Sequence, residues 1–373
     1  MPHAAGHKLV ACALKPKAFY INMDNLKPIL TAFGVNEDAI VSKISGGLIN
    51  ATWKVTDSER EFILQKINTQ VFKNPEAIAE NHCQLSKYLK HYQPDYPFVS
   101  EIPTVVGDTL FKNQEGCFRL LPFVKDSHTI SVVQNPSQAY EAAYQFGLFT
   151  KMFEEFNART LKTTIPDFHD LALRYQQFEE SIRLGNQERV GECQQEIQQL
   201  ESFSYLVAEY KVFTNHPQSK LRVTHHDTKI SNVLFNQQDK GICVIDLDTV
   251  MSGYFFSDVG DMMRTYLSPA NEEELDFTNI IVREEFFKAI ASGYLAAMGS
   301  ELTAHERNSL CKAGYWITYM QALRFLTDYF SNDQYYGAAY PDHNLNRAKN
   351  QFILLQSMTD KDDLLKSILH SIE

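Results

Sequence analysis

The sequence predicts an α+β protein in which a small, sheet-rich part precedes a larger helical part. Short segments rich in β-branched residues fill positions 40–67 and are separated by glycine or polar turns. From Pro136 onward, apolar residues recur at helical spacing over long stretches. A length of 373 residues exceeds what one small core needs and suits two lobes.

Three segments divide the chain. Residues 1–22 hold one apolar run, at 9–14, which is short for the apolar core of a signal peptide and is followed by lysines. We predict that these residues are a leader or a mis-assigned start without ordered structure. Residues 23–124 form the predicted small lobe, and residues 125–373 form the predicted helical lobe.

The small lobe is predicted to begin with a helix and to continue as a sheet. Asn25 is a suitable N-cap for this helix, and Gly34 is suited to its C-terminal end. A second helix is predicted to start at Pro75. Alternating or β-branched segments predict strands at residues 40–44, 51–56, 62–67, 104–106, 109–111 and 117–121.

The large lobe is predicted to be mostly helical. Apolar periodicity predicts helices at residues 139–156, 168–183, 190–213, 284–298 and 303–330. Asp170 and Asp258 are interpreted as N-terminal caps of two helices, and Asp261 as a support for the loop described next. The aromatic residues of the last helix are expected in the core, whereas Arg324 among them needs a hydrogen-bond acceptor.

The stretch at residues 223–248 concentrates polar residues that are typical of a reaction centre. Two short strands joined by a turn are expected to bring Asp227, Asn232 and Asp246 together. In phosphoryl transfer from a magnesium nucleotide, one carboxylate orients the attacking hydroxyl and accepts its proton, while an amide and a second carboxylate bind the metal. Two other interpretations stay open: an ordinary capped loop, and a metallohydrolase with ligands from nearby histidines and aspartates.

This stretch resembles the catalytic loop of protein kinases, H-R-D-L-K-x-x-N, with His225, Asp227, Lys229 and Asn232 in register. Asp246 corresponds to the Asp of their D-F-G motif, but Leu-Asp follows it in place of Phe-Gly. This difference is typical of the small-molecule branch of these kinases. The chain therefore resembles the aminoglycoside phosphotransferase and choline kinase-like family. Within it, the chain resembles N-acetylhexosamine 1-kinases over about residues 40–358, in the stretches 46–72, 168–170, 224–264, 324–329 and 340–347. The resemblance implies a protein-kinase-like two-lobe fold that uses ATP and Mg²⁺.

The resemblance also implies which residues bind the nucleotide. They are Gly46, Gly47, Asn50, Gln65, Lys66 and, in a hinge between the lobes, Pro122, Phe123 and Val124. A glycine pair between strands can fold backbone N–H groups over phosphates. In protein kinases the third strand carries a lysine that pairs with the phosphates. Strand alternation places Gln65 and Lys66 on opposite faces, so the sequence leaves open which of them faces the cleft. Leu48 stands where related sugar kinases often have His.

The implied roles at the reaction centre follow the same resemblance. Asp227 is the expected catalytic base and also contacts the acceptor, and Lys229 steadies the transferred phosphoryl group. Asn232 and Asp246 are the expected Mg²⁺ ligands. The other implied acceptor residues are Arg324, Tyr335 and His169.

The acceptor that the resemblance implies is a sugar, phosphorylated at the anomeric hydroxyl of an N-acetylhexosamine. Two alternatives stay open. One is a kinase of another small alcohol, such as an aminoglycoside, choline or homoserine, which would share the catalytic residues and differ in the acceptor pocket. The other is a nucleotide-binding pseudokinase without activity, against which the intact Asp227, Asn232 and Asp246 argue.

Composition limits the partners. A formal charge of −11 argues against a nucleic-acid-binding surface, and no apolar run reaches membrane-spanning length. The six cysteines lack C-x-x-C spacing, which is typical of reduced thiols, so we predict a cytoplasmic protein. The expected partner is a small-molecule sugar, with no nucleic acid or membrane bound, and the expected state is a monomer or small homo-oligomer.

Overall fold

The computed structural model describes residues 23–44 and 49–372, which form a sheet-rich small lobe and a helical large lobe. The strands in the described residues are β1 (Ile40–Ile44), β2 (Ala51–Asp57), β3 (Arg60–Ile67), β4 (Phe111–Asn113), β5 (Gly116–Pro122), β6 (Arg222–Thr224), β7 (Val233–Phe235), β8 (Gly241–Val244) and β9 (Met251–Gly253). The predicted α+β class is confirmed.

Helices make up most of the large lobe. The α-helices are α1 (Met23–Ala32), α2 (Pro75–Tyr92), α3 (Pro136–Met152), α4 (Leu171–Leu184), α5 (Gln187–Glu192), α6 (Gln194–Glu201), α7 (Tyr205–Thr214), α8 (Phe255–Tyr266), α9 (Glu284–Met298), α10 (Ala304–Asn308), α11 (Leu310–Phe330), α12 (His343–Asp360) and α13 (Asp362–Ile372). The predicted lobe boundary at residues 124–125 falls in the segment between β5 and α3.

Asn-Pro pairs start two of these helices. At α2, the side chain of Asn74 accepts the backbone N–H of Ala77 at 3.1 Å, and Pro75 follows as the first helical residue. Asn135 and Pro136 do the same at α3, where Asn135 accepts the N–H of Gln138 at 3.0 Å. The asparagine satisfies an N–H that the helix leaves free, and proline fits the first turn because it needs no N–H there.

The small lobe is an antiparallel sheet with two different faces. Its strand order is β1-β2-β3-β5-β4. Helix α1 covers one face, where Leu26 and Ile29 pack with Trp53, Leu64 and Phe118 in a fully buried cluster. Because side chains alternate along a strand, the residues next to Leu64 and Phe118 point to the other face, toward the large lobe.

The large lobe is built around α11, which is buried along most of its length between α4, α8 and α12. The aromatic residues of this helix lie in the core as predicted: Tyr315, Trp316, Tyr319 and Tyr329 are each at most 5% exposed. At the edge of this lobe two short antiparallel pairs, β6 with β9 and β7 with β8, frame the loop at residues 225–232.

One strand prediction in the small lobe is wrong. Residues 104–106 form a turn instead of a strand, because Thr104 and Asp108 bond to each other's backbone and Gly107 takes a positive φ of 98°. Val105 and Val106, whose β-branching suggested a strand, are 71% and 80% exposed. Their side chains therefore contribute little to the core.

Three predictions in the large lobe also differ. The helix expected at 190–213 is broken at Cys193 and at 202–204, and that expected at 303–330 is broken at Ser309, after a Thr303–Glu306 capping box. Helix α8 begins at Phe255, so Asp258 lies inside it and is not its cap. The apolar periodicity of the sequence continues across these breaks, because the residues on either side of each break still face the core.

No helix in the described part of the chain is long and apolar enough to cross a membrane.

Candidate active site

Helix α8 holds the loop that follows β6. The carboxylate of Asp258 accepts the backbone N–H groups of His225 and His226, at 3.0 and 2.7 Å, and Asp261 accepts that of Thr228 at 2.9 Å. Burial, helped by the charges of Asp261 and Asp227, raises the pKa of Asp258 to about 7, although the two N–H groups oppose the rise. The predicted support of this loop by Asp261 is confirmed.

Asp227 projects from this loop between a cation and an amide. Its carboxylate lies 3.0 Å from the Nζ atom of Lys229 and accepts the side-chain N–H of Asn232 at 3.1 Å. Burial alone would raise the pKa of Asp227, but the charge and hydrogen bond of Lys229 hold it below its usual range. Asp227 is therefore ionised at neutral pH and able to accept a proton.

His225 and His226 are buried on either side of the loop backbone. The Nε2–H of His225 donates to the carbonyl of Ile245 at 3.0 Å, and its ring packs edge-on against Phe146. His226 has a φ of 67°, in the left-handed region, and burial lowers its pKa to about 3. Gly253 lies against this ring, where a Cβ atom would stand 2.5 Å from the Cε1 atom of His226.

Asp246 lies directly after β8, in the left-handed region with a φ of 60°, and is exposed to the cleft. Desolvation and the like charges of Asp248 and Asp227 raise its pKa to about 7. Because Asp246 is exposed, we regard repulsion among the three carboxylates as the main cause. Asn232 lies nearby, because its backbone carbonyl accepts the N–H of Ile245, the residue after β8, at 2.8 Å.

These donors fit Mg²⁺, which prefers oxygen ligands and usually keeps substrate phosphates and water in its shell. The described residues include no cluster of three His, Cys, Asp or Glu side chains that could hold a metal by themselves. The ring of His225 is engaged with Ile245, and Asp248 is paired with Arg119. The metallohydrolase interpretation, which needs these side chains as ligands, is therefore not supported.

A buried network that the sequence did not reveal links the small lobe to the residues after Asp246. Arg119, on β5, pairs with the carboxylate of Asp248, and both side chains are 2% exposed. Asn50, at the start of β2, donates to the same carboxylate at 2.7 Å. Although burial opposes the effect, Arg119 lowers the pKa of Asp248. Asp248 therefore faces the small lobe, held away from the position of a metal ligand.

Two further residues extend this network to α2. His82 hydrogen-bonds Glu101 through Nδ1, and its Nε2–H donates to the carbonyl of Leu247 at 3.0 Å. Glu101 also lies 4.0 Å from the guanidinium of Arg119. The segment 247–248 is thus fixed from two elements of the small lobe.

The alternation of side chains along β3 decides whether Gln65 or Lys66 faces the cleft. Gln65 accepts the Nε–H of Arg119 at 2.9 Å and is on the side of Asp248. Lys66 pairs in register with Phe118, on the side covered by α1, where its Nζ atom is 6.0 Å from the Phe118 ring centre. Arg119 therefore supplies the buried positive charge on the cleft side of the sheet.

The other predicted nucleotide-binding residues lie along the same edge. Asn50 bridges Asp248 and the backbone N–H of Asn68, at 2.7 and 2.9 Å. Of the hinge residues, Pro122 ends β5, and Phe123 and Val124 follow it and lead toward the large lobe. Gly46 and Gly47, together with Leu48, lie outside the described residues.

The predicted acceptor residues come together on the other side of the catalytic loop. Arg324, on α11, donates to the hydroxyl of Tyr335 at 3.2 Å, and its guanidinium is 5.7 Å from the ring centre of Phe168. The ring of His169 stacks on Phe168 and stands edge-on to His226, with centres 4.5 and 5.3 Å apart. We call these five residues the acceptor cluster.

Asp328 does not pair with Arg324, although it is one helical turn away. Its carboxylate accepts the backbone N–H groups of Tyr335 and Tyr336, at 2.6 and 2.8 Å. This arrangement holds the loop after α11 against the acceptor cluster. Asp170 has a local role as the N-cap of α4, accepting the N–H of Leu173 at 3.0 Å, as predicted.

A cavity of about 580 Å³ lies elsewhere, between α4 and α7. Asp167, Asp170, Tyr175, Glu179 and Lys211 line it, and none of the catalytic carboxylates does. The hydrogen bonds around Asp227 and Asp246 give a more direct indication of the reaction centre than the size of this opening.

The two-lobe fold and the loop carrying Asp227, Lys229 and Asn232, followed by Asp246, define a kinase-like protein. Residues 40–298, more than half of the chain, match the phosphotransferase enzyme family (APH), and the chain belongs to this family. The predicted resemblance is confirmed at this level. The narrower resemblance to N-acetylhexosamine 1-kinases stays a prediction.

Solved structures share the fold at low sequence identity. A microcompartment-associated aminopropanol kinase is 16% identical and has a TM-score of 0.62, with 92% of this chain and 98% of that chain covered. The ethanolamine kinase of Plasmodium vivax is 13% identical, with a TM-score of 0.56 and coverages of 95% and 94%. A spectinomycin phosphotransferase, solved with ADP and spectinomycin, is 13% identical, with a TM-score of 0.55 and coverages of 93% and 97%.

Proposed function

We propose that the protein is an ATP- and Mg²⁺-dependent kinase that phosphorylates a sugar hydroxyl, at the anomeric position of an N-acetylhexosamine. The reaction is ATP + sugar → ADP + sugar phosphate, with one proton released from the hydroxyl. The observation that carries this proposal is the pairing of Asp227 with Lys229 beside Asn232. Membership of the phosphotransferase family supports the reaction type.

Asp227 acts as the base. Its lowered pKa keeps it ionised, and the hydrogen bond from Asn232 to one carboxylate oxygen fixes its orientation. It accepts the proton of the acceptor hydroxyl as the oxygen attacks the γ-phosphorus and ADP leaves. Lys229, whose pKa is raised mainly by Asp227, stays protonated and stabilises the negative charge of the phosphoryl group.

Asn232 and Asp246 would hold the magnesium ion, and bound Mg²⁺ would neutralise charge on the nucleotide phosphates. The like charges around Asp246 support this role, because a cation there relieves their repulsion. On the small-lobe side, Asn50 and Gln65 border the cleft, and the hinge at residues 122–124 offers backbone groups for the adenine edge. Lys66 is on the opposite face of the sheet. Arg119, which contacts Asp248 and Gln65, instead orients the side of the sheet that borders the cleft.

The acceptor cluster supports a sugar over an amine. Aromatic rings beside side chains that bond hydroxyls are typical of sugar pockets, and Tyr335, Phe168 and Arg324 provide both. A cationic acceptor, such as an amino alcohol, would be repelled by Arg324. The aminopropanol, ethanolamine and choline kinases of similar fold therefore point to the same reaction but to different acceptors.

An acceptor screen tests the proposal. ADP release is measured with ATP and Mg²⁺ against N-acetylhexosamines, neutral hexoses, choline, ethanolamine, homoserine and an aminoglycoside, and ³¹P NMR locates the phosphate on any product. We expect turnover with N-acetylhexosamines, an anomeric phosphate, and loss of turnover when EDTA removes the metal. Turnover with an amine alone would assign the protein to the other small-alcohol kinases, and nucleotide binding without turnover of any acceptor would make it a pseudokinase.

A further inference from the structure

Two arginines meet in the acceptor cluster from different helices. Arg174, on α4, donates from Nη2 to the backbone carbonyl of Asp167 at 2.7 Å. Arg324, on α11, lies over the ring of Phe168, the next residue. Both side chains are partly exposed, and both contact the short segment that precedes α4.

The hydrogen-bond partners of both guanidinium groups are neutral. Arg174 donates to the side-chain oxygen of Gln177 at 2.9 Å, and Arg324 donates to that of Gln321 and to the hydroxyl of Tyr335, each at 3.2 Å. The buried Nε atom of Arg174 has no hydrogen-bond partner in the part of the chain that the structure describes. An unsatisfied donor next to a like charge costs free energy unless a ligand compensates it.

Three other enclosed arginines in this protein form salt bridges, whereas Arg283 bonds backbone carbonyls. Arg119 pairs with Asp248, Arg222 with Glu306, and Arg264 with Asp261. Within residues 23–44 and 49–372, Arg174 and Arg324 form no salt bridge. Burial and then the charge of Arg324 lower the pKa of Arg174, which shows that the two cations act on each other.

Carboxylates near the pair are committed elsewhere. Asp328 accepts the backbone N–H groups of Tyr335 and Tyr336. Asp167 is exposed, offers Arg174 its backbone carbonyl and forms no salt bridge with it among the described residues, although its charge favours the protonated guanidinium. The positive charge of the pair is thus left for a group that the protein does not supply from its described residues.

The pair is connected to the reaction centre through aromatic rings. His169 stacks on Phe168 and meets His226, which directly precedes Asp227 in the chain. Burial and the charges of His226 and Arg324 keep the pKa of His169 well below its usual value, so its ring is neutral. Its Nδ1 atom is buried without a hydrogen-bond partner among the described residues. A molecule bound at the pair would therefore extend toward Asp227 across neutral groups.

We propose that Arg174 and Arg324 together bind a carboxylate carried by the acceptor, so that the preferred substrate is an acidic sugar. This inference rests on the proposed sugar kinase function and narrows its substrate class. The planar guanidinium group presents paired N–H donors that match the two oxygens of a carboxylate. A neutral carbonyl could satisfy one donor but would leave the charge of two arginines uncompensated.

Matched acceptors test the inference. Initial rates with ATP are compared for N-acetylglucosamine and N-acetylgalactosamine, each beside the same sugar with a C6 carboxylate. We expect kcat/KM to be at least about tenfold higher for the acidic member of the matching pair, which is the scale of one charge-assisted hydrogen bond. Equal or better use of the neutral sugar overturns the inference and leaves the proposed sugar kinase intact. Turnover restricted to amino alcohols overturns both.

Substitutions of Arg174 test whether this residue causes the preference for acidic over neutral sugars. Arg174→Gln should lower the acidic-to-neutral ratio of kcat/KM about tenfold while leaving the KM for ATP unchanged, and Arg174→Lys, which keeps the charge but loses the paired donors, should lower the ratio by less. Arg183→Gln is the matched control, because Arg183 is on the same helix, exposed, and 3.9 Å from Glu180. If Arg174→Gln slows both acceptors equally, or if it loses folded structure and Arg174→Lys leaves the ratio unchanged, Arg174 has no part in selecting a carboxylate.

Discussion

Arg119 and Asp248 form a buried ion pair that joins the small-lobe sheet to the turn carrying Asp246. Arg119 also donates to Gln65, so this one charged contact links two strands of the sheet to the turn that carries Asp246. When one lobe moves relative to the other, Arg119 and Asp248 must either move together or lose their contact. Its removal should therefore affect both stability and nucleotide binding.

Arg119→Met should destabilise the fold by about 3–5 kcal/mol, because Asp248 would be left buried and unpaired. Urea unfolding at neutral pH measures the loss. The double variant Arg119→Met/Asp248→Leu should recover at least about half of it, since no charge is then stranded. A loss in the single variant of less than about 1 kcal/mol would show that the pair is open to water in solution.

Asp227→Asn should lower kcat by about two to four orders of magnitude, the usual scale for a positioned base, with a small change in the KM for ATP. The amide keeps the shape of the side chain but cannot take the proton. Asp239→Asn is the matched control: it makes the same change in the turn between β7 and β8, where Asp239 bonds His128 and Gln138. Turnover of the Asp227 variant within about tenfold of wild type would exclude the base role.

Arg324→Ala should raise the KM for the acceptor, with a loss of about 1.5–3 kcal/mol in kcat/KM, typical of a charged hydrogen bond. Arg324 contacts Tyr335 and Phe168, which are distant in sequence from the nucleotide-binding edge. The KM for ATP and the melting temperature should therefore change little. Steady-state kinetics with each substrate varied separately decides, and an unchanged acceptor KM would return Arg324 to a structural role.

Gly253→Ala should lower kcat by about 10–100-fold, because the new methyl group meets the ring of His226 and shifts Asp227 beside it. A Cβ at position 253 would also be 3.0 Å from the hydroxyl of Thr224. Gly191→Ala is the control: no atom lies within 4 Å of its added Cβ, so this helical site should gain about 0.5–1 kcal/mol with kcat unchanged. Equal kcat in both variants would show that the His226 ring can move without displacing Asp227.

The contribution of His226 to stability should fall as the pH drops below about 6.5, because the unfolded chain then protonates His226 while the folded protein, with a pKa of about 3 there, does not. Asp246 and Asp258, with a pKa of about 7 in the folded protein, act in the opposite direction, so the comparison of wild type with a His226 variant isolates this contribution. This destabilisation is absent above the pKa of His226 in the unfolded chain, and it grows as the pH falls toward 3. The slope of the unfolding free energy reaches about 1.4 kcal/mol per pH unit for one such group. Urea unfolding between pH 7.5 and about 5 measures it.

His226→Asn should reduce that slope by up to one proton, since asparagine does not titrate and tolerates a positive φ. His225, whose pKa burial also lowers, keeps a contribution of the same sign. The same substitution at the exposed His370 should leave the slope unchanged. An unaltered slope in His226→Asn would mean that the ring is protonated in the folded protein.

Much of the fold followed from local pattern. The strands around Trp53 and Leu64 alternate strongly enough to fix both their existence and their buried face. The start of α2 at Pro75 and the cap at Asp170 depend only on neighbouring residues, so sequence sufficed for them. Of the site, the loop from His225 to Asn232 was predictable because its spacing is itself the motif.

What escaped prediction depends on contacts distant in sequence. The pair Arg119 and Asp248 is separated by 129 positions, and His82 reaches Leu247 across 165. An arginine within an apolar strand is a signal that an acceptor lies opposite, and the register of Gln65 with Arg119 would have indicated the face. The identity of Asp248 as that acceptor needed the packing of the two lobes. Asp258 was misread for the same reason, because its partners are the loop amides and not its own helix.

The opposite orientations of Gln65 and Lys66 restrict how this enzyme can evolve. A one-residue insertion in the turn before β3 would bring Lys66 to the cleft face, but it would also expel Leu64 from the core beneath α1. The direct route, Gln65→Lys, would place a second cation against Arg119, which Gln65 now supports at 2.9 Å. A lysine of the protein-kinase type is therefore reachable here only if positions 65 and 119 change together, and each single step passes through a less stable protein.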